Sequence, residues 1–195
     1  MLKYELAVIP IFKHHTDKCN LNTKDIRAME LPATQSLITS TSKYLVKVIS
    51  NVLYSKEAPQ DQLQKNESLL LKIKSFFSYI CEFAWLTGSE LIYTIYLVKK
   101  LVNSEKENNR KDKDCIMISE NNVGTTLVCA VILAMKILRD ATSQKNSWWA
   151  KSFEMNLELL NQSELAFFAQ LDFNAAMDEQ QFIRLHNQIL LQSDV

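Results

Sequence analysis

The chain has 195 residues, 47% of them apolar and 23% charged, the balance of a soluble globular protein with enough length for one core. Lysine plus arginine equals aspartate plus glutamate at 22 each, so no net field draws it onto DNA or an anionic membrane. The longest apolar run, residues 127–135, stops at Lys136, far short of the roughly 20 residues a transmembrane helix needs. Nucleic acid and membrane are therefore not expected as partners.

Residues 1–12 hold no apolar stretch followed by a small-residue cleavage site. Cys19, Cys81, Cys115 and Cys129 form no CxxC pair and read as free thiols in a reducing compartment, the cytosol or the nucleus. Pro10, Pro32 and Pro59 all lie in the first third, and Gly88 and Gly124 are the only glycines. Such a chain cannot easily make the tight hairpins of a β protein, but it can make helices with short polar connections, so the expected class is all-α.

In chain order, residues 1–32 keep no period and read as an extended or disordered lead-in. Over residues 33–55, Leu45, Val48, Ile49, Val52 and Leu53 recur at three and four, an amphipathic helix. Residues 56–66, with Pro59, read as a polar linker. Leu69, Ile73, Phe76, Phe77, Ile80 and Phe83 share a face of the next helix. Thr87 and Glu90 then stand as a capping box, able to satisfy free N–H groups at a helix start. The helix they open carries Leu91, Ile92, Ile95, Tyr96 and Val98 and runs to about residue 102.

Residues 103–114, NSEKENNRKDKD, hold four acids and four bases and read as a solvated, mobile insertion. Asn121 or Asn122 offers a cap for the next helix, which is apolar on every side over residues 125–138 and reads as the hub of a bundle. After a polar loop at 140–146 comes a brief helix with Trp148, Trp149 and Ala150. Its paired aromatics suit either an interface or packing onto the core. A helix over about residues 156–171 follows. A last amphipathic helix carries Phe182, Leu185, Ile189 and Leu190, with His186 expected at the surface.

No GxxxxGK[ST], GxGxxG or HExxH occurs, and no strand-to-helix elbow presents a serine. The chain reads as a non-enzyme with no cofactor, no metal and no small-molecule substrate. His14, His15 and Cys19 have ligand chemistry but no second Cys/His cluster beside them, and a free polar segment is the simpler reading.

One pair of residues breaks the pattern. Lys136 is the only charge in the hub helix, and Glu164 sits within the stripe Leu157, Leu160, Phe167, Phe168, Leu171. A charge on an apolar stripe costs several kcal/mol unless it is paired or reaches the surface. The two are natural partners, either as a buried structural pair or at the floor of a groove that meets another molecule.

The segment Val131-Ile-Leu-Ala-Met-Lys136-Ile-Leu-Arg-Asp140 resembles the third helix of a cyclin box. Trp148-Trp-Ala-Lys151, then Leu157-Glu-Leu-Leu-Asn161-Gln-Ser-Glu164 and Leu171-Asp-Phe-Asn174, resemble the fourth and fifth helices, closest to the P/U-type branch that pairs with phosphate-signalling kinases. Ile92-Tyr-Thr-Ile-Tyr-Leu-Val98 is similar to the second helix and residues 70–84 to the first, so the likeness covers about residues 37–173. The resemblance implies a regulatory subunit that binds and activates a cyclin-dependent protein kinase. It further implies that Lys136 and Glu164 hydrogen-bond to the kinase, with Leu133, Ile137, Leu160, Asn161 and Phe168 lining the groove. A helical adaptor or scaffold of the same fold that binds no kinase is the alternative.

The chain departs from the family in places. Tyr96-Leu-Val98-Lys99 stands where many cyclins have an acid and an arginine, so their internal acid–arginine clamp is expected to be missing. The family's Asn-Val-His-Arg before the third helix reads Asn122-Val-Gly-Thr125, and its Gly-Gly turn before the fifth reads Phe153-Glu154. The expected architecture is a lead-in at 1–32, a five-helix cyclin box with a flanking N-terminal helix at 33–174, and a short C-terminal helix at 175–195.

Overall fold

The computed structural model describes residues 29–54, 58–109, 118–141 and 144–191. Seven helices and no strand occur among them: α1 (Gln35–Leu53), α2 (Pro59–Ala84), α3 (Gly88–Asn109), α4 (Val123–Leu138), α5 (Asn146–Ser152), α6 (Leu157–Gln170) and α7 (Glu179–Leu190). The fold is all-α, with α1 as the flanking helix, α2 to α6 as the five helices of the box and α7 as the C-terminal helix.

Helix α4 is the hub. Its residues from Thr126 to Met135 are buried without interruption, and it packs against α3 on one side and α6 on another. An α-helix presents a new direction every 100°, so ten buried residues in a row require neighbours all round. Each fully buried leucine or isoleucine contributes about 1.5–3 kcal/mol, and α3 beside the hub carries five of them, Leu91, Ile92, Ile95, Leu97 and Leu101. Helix α1 lies against α2, α3 and α7, and α5 lies on α6.

Local chemistry explains several boundaries. Thr34 caps α1 by accepting from Leu37 N at 3.2 Å. The linker before α2 is shorter than its polarity suggests. Pro59 sits at the first helical position, where its missing N–H costs nothing, so α2 begins there. Thr87 and Glu90 form the expected capping box: Thr87 N donates to Glu90 Oε2 at 2.8 Å, and Glu90 N donates to Thr87 Oγ1 at 3.3 Å. Helix α3 continues into the charged run as far as Asn109, because its residues are adequate helix formers. The rest of that run falls in residues 110–117, outside the described residues, as do His14, His15, Cys19 and Cys115.

Asn122 stands at the N-cap of α4, but its side chain accepts from Ser119 N at 2.8 Å and caps no helical N–H. The end of the lead-in is tied down. Ala33 N donates to Leu86 O at 2.9 Å and Gly88 N to Leu31 O at 3.1 Å, a bridge beside Pro32 and Thr87. A Cβ at Gly88 would lie 3.0 Å from Met29 Sδ and 3.2 Å from Leu37 Cδ2, so a side chain here would press on those two side-chain ends.

One expectation is corrected: His186 is buried, because its place on α7 faces the helices that α7 covers rather than solvent. A separate acid–arginine clamp occurs at other positions: Arg139, just after α4, pairs with Glu90 at the start of α3. Arg139 Nη2 also donates to Trp85 O at 3.0 Å and to Ala84 O at 3.3 Å. Trp85 ends α2 in the left-handed region, φ 57°, and the guanidinium satisfies the carbonyls that this turn exposes. Where the family has Gly-Gly, Glu154 adopts φ 51°, so the turn keeps a left-handed residue without glycine, at roughly 1–2 kcal/mol.

Candidate functional site

Helices α4 and α6 lie side by side, and at the C-terminal end of α4 their one charged pair meets at the surface. Lys136 Nζ lies 2.7 Å from Glu164 Oε1 and 2.9 Å from Oε2, a fork of two charge-assisted hydrogen bonds. The lysine side chain keeps 37% of its exposure and the glutamate 12%. The ammonium therefore faces solvent while the carboxylate is recessed. The pair is neither sealed in the core nor loose on the surface.

A third element reaches it. Asn146, the first residue of α5, donates from Nδ2 to Glu164 Oε2 at 2.6 Å and to Asn161 Oδ1 at 2.8 Å. No local signal in the sequence marks Asn146 as part of the site. It belongs there only because α5 folds back onto α6.

The other residues expected in the groove separate into two groups. Ile137 and Phe168 are half-buried, and Asn161 is exposed. Leu133 and Leu160 are buried in the core, so they support the edge from beneath instead of facing out. Phe168 also packs edge-on against Phe173, with ring centroids 5.3 Å apart. Trp149 is buried and stacks on Phe153 at 6.2 Å, while Trp148 is half-buried, so the paired tryptophans serve mainly to dock α5.

Two turns further into α4, Cys129 is buried and free. Burial pushes its thiol up to about 12, the negative charge of Glu164 adds to the rise, and Lys136 opposes it. The pair's field thus reaches the inner face of the hub helix. Cys81 is half-buried, and burial raises its thiol as well.

No group of three or more His, Cys, Asp or Glu able to hold a metal occurs among the described residues, and none of their helices is long and apolar enough to cross a membrane. What the edge offers is hydrogen bonding, charge and apolar area.

A family model for cyclins matches residues 16–175, and the chain belongs to that family. Its members are regulatory, non-enzymatic subunits that typically partner cyclin-dependent kinases, which gives this chain a cyclin-type regulatory role. No curated protein and no solved structure matched it.

Proposed function

We propose that the chain binds a cyclin-dependent protein kinase at the α4–α6 edge and activates it by holding the kinase's regulatory helix in the active position. The observation that carries this reading is the Lys136–Glu164 pair, half-open to solvent in a chain of the cyclin family. A fork of two bonds to the carboxylate leaves one ammonium hydrogen for a partner oxygen. Ile137 and Phe168 supply apolar area beside it, and Asn161 supplies a polar rim.

The chain does no chemistry in this account. It binds the active placement of the kinase helix more tightly than the inactive one, which brings the helix glutamate to the catalytic lysine. Moving such an equilibrium from 1:99 to 99:1 takes a preference of about 10⁴-fold, or about 5.5 kcal/mol. We place the chain in the P/U-type branch on the spacing of Trp148, Trp149, Lys151, Glu158, Asn161, Glu164 and Asp172, and its partner would then be a phosphate-signalling kinase. The free thiols Cys81 and Cys129 fit a cytoplasmic or nuclear setting.

The test is a panel of purified cyclin-dependent kinases, measured for affinity and for peptide phosphorylation with and without the chain. At least one kinase should bind and gain activity, and Lys136→Ala should lose both. Retention of no kinase by the parent chain would instead mark a helical adaptor and sink the proposal.

A further inference from the structure

Asn146 joins the charged pair from α5, and its geometry is determined atom by atom. An Oδ1 in the place of Nδ2 would set two acceptors at 2.6 Å with no proton between them, so the Glu164 carboxylate fixes how this amide is turned. Both Nδ2 hydrogens are then committed, one to Glu164 and one to Asn161. Asn161 must point its oxygen inward to receive the second, which leaves its own N–H groups on the exposed side. Asn146 Oδ1, meanwhile, is buried with no hydrogen-bond partner. A buried acceptor without a donor destabilises the fold, and alanine at this position would remove it. The unpaired acceptor thus offsets part of what the two donated bonds contribute to folding, so stability alone gains little from asparagine here.

We propose that Asn146 is a positioning residue for the kinase-binding edge, an inference that rests on the kinase reading above. It holds the Glu164 carboxylate in one rotamer before a partner arrives, so that less freedom is lost on binding. It also aims the Asn161 amide so that its N–H groups stand with Lys136 Nζ as donors. The edge is thereby matched to oxygen acceptors on the kinase.

Binding and melting measured together separate positioning from packing. Aspartate keeps the shape of asparagine but sets a second carboxylate against Glu164 under either role, so Asn146→Ala decides: a packing role predicts that its binding falls only with its melt, and a positioning role predicts weaker binding with the melt held. Asn146→Ala loses both donors and should weaken binding about tenfold. Asn146→Asp loses them and adds a carboxylate against Glu164, so it should bind more weakly still. The measurement is affinity for the panel kinase that binds the parent best, with thermal melts of each variant and Lys136→Ala as reference. Asn146→Ala should melt within about 5 °C of the parent, since it loses two donated bonds and one unpaired acceptor together.

Aspartate binding as well as asparagine overturns the proposal, and so does an Asn146→Ala melt more than about 5 °C below the parent, which would make Asn146 a strut. If Lys136→Ala loses binding while both Asn146 variants keep it, this inference alone fails and the kinase reading stands. If the parent binds no kinase, both fail.

Discussion

Arg139 and Glu90, which stand at the end of α4 and the start of α3, close an ion pair in which the glutamate side chain keeps 3% of its exposure and the arginine 22%. Arg139 Nη2 meets Glu90 Oε2 at 2.8 Å while also holding the Trp85 carbonyl, so one guanidinium joins the ends of α2, α3 and α4. Removing one partner of such a pair strands the other charge, which costs about 3–5 kcal/mol. Arg139→Ala should therefore lower the melting temperature by about 6–20 °C for a chain of this size. Glu90→Gln keeps one acceptor for Arg139 Nη2 and Thr87 N but turns an amide NH2 onto Arg139 Nε–H and removes the counter-charge, so it should also lower the melt, by less than Arg139→Ala because the guanidinium is the more exposed partner. Equal and small effects from the two changes, read by thermal melts, would remove the clamp from the account.

At the functional edge the two partners should behave unequally. Lys136→Ala leaves Glu164 recessed but still bonded to Asn146, and Glu164→Ala leaves a lysine that can hydrate. Either change should cost the fold about 1 kcal/mol or less, with Lys136→Ala the larger of the two. Kinase affinity should fall roughly 30-fold or more in both, since each truncates a charged interface contact. Melting and binding measured on the same preparations check this. A melt lowered by more than about 10 °C in both variants would make the pair a core strut.

On α6 the division between core and surface predicts a contrast between adjacent residues. Leu160 is 0% exposed and Leu159 is 61% exposed. Leu160→Ala should cost about 2–5 kcal/mol through lost burial and the cavity left behind, and Leu159→Ala within about 0.5 kcal/mol. Urea unfolding of the two variants decides it, and similar midpoints would show that α6 is rotated from the orientation described.

The thiol of Cys129 supplies a pH dependence. Its folded value lies near 12 against an ordinary 9.0, so the neutral form is favoured by folding. Its contribution is complete below pH 9 and declines as pH rises toward 12, because only the unfolded chain then releases the proton. Between pH 9 and 10.5 the parent should lose stability more steeply than Cys129→Ala, by up to about 1.4 kcal/mol per pH unit. Peptide mapping after alkylation at pH 8 should find Cys129 unmodified until the unfolding transition. Rapid modification in the folded chain would contradict its burial.

How much of this could be read beforehand depended on how far apart the interacting residues lie. The Thr87–Glu90 capping box is local, so its spacing in the sequence was enough to place it. The hub was legible because an uninterrupted apolar run of that length leaves no polar face. Lys136 and Glu164 announced each other because each is a charge on an apolar stripe. Arg139 carries no such mark: it follows a helix end, where basic residues are ordinary, and only the fold brings it to Glu90. His186 looked like a polar residue on an amphipathic helix, and its burial follows from how α7 lies against α1 and α3. Leu133 and Leu160 share helices with the charged pair, but sequence spacing does not say which side of a helix its neighbours cover.

The segment between α6 and α7 has a consequence for where the cooperative unit ends. Three side chains of α3 fasten it: Lys100 Nζ donates to Asn174 O at 2.6 Å, Tyr93 to Ala175 O at 2.6 Å and Tyr96 to Ala176 O at 2.5 Å. Burial raises both phenols, so they remain protonated donors over the ordinary pH range. Beyond the strap, Met177, Phe182, Leu185 and Ile189 join the same core. The family match stops at residue 175, but a chain cut there would leave two tyrosine hydroxyls at or near a new terminus and open a trench along α1 and α3. The natural seam of the sequence is thus not a seam of the molecule, and α7 should unfold together with the hub.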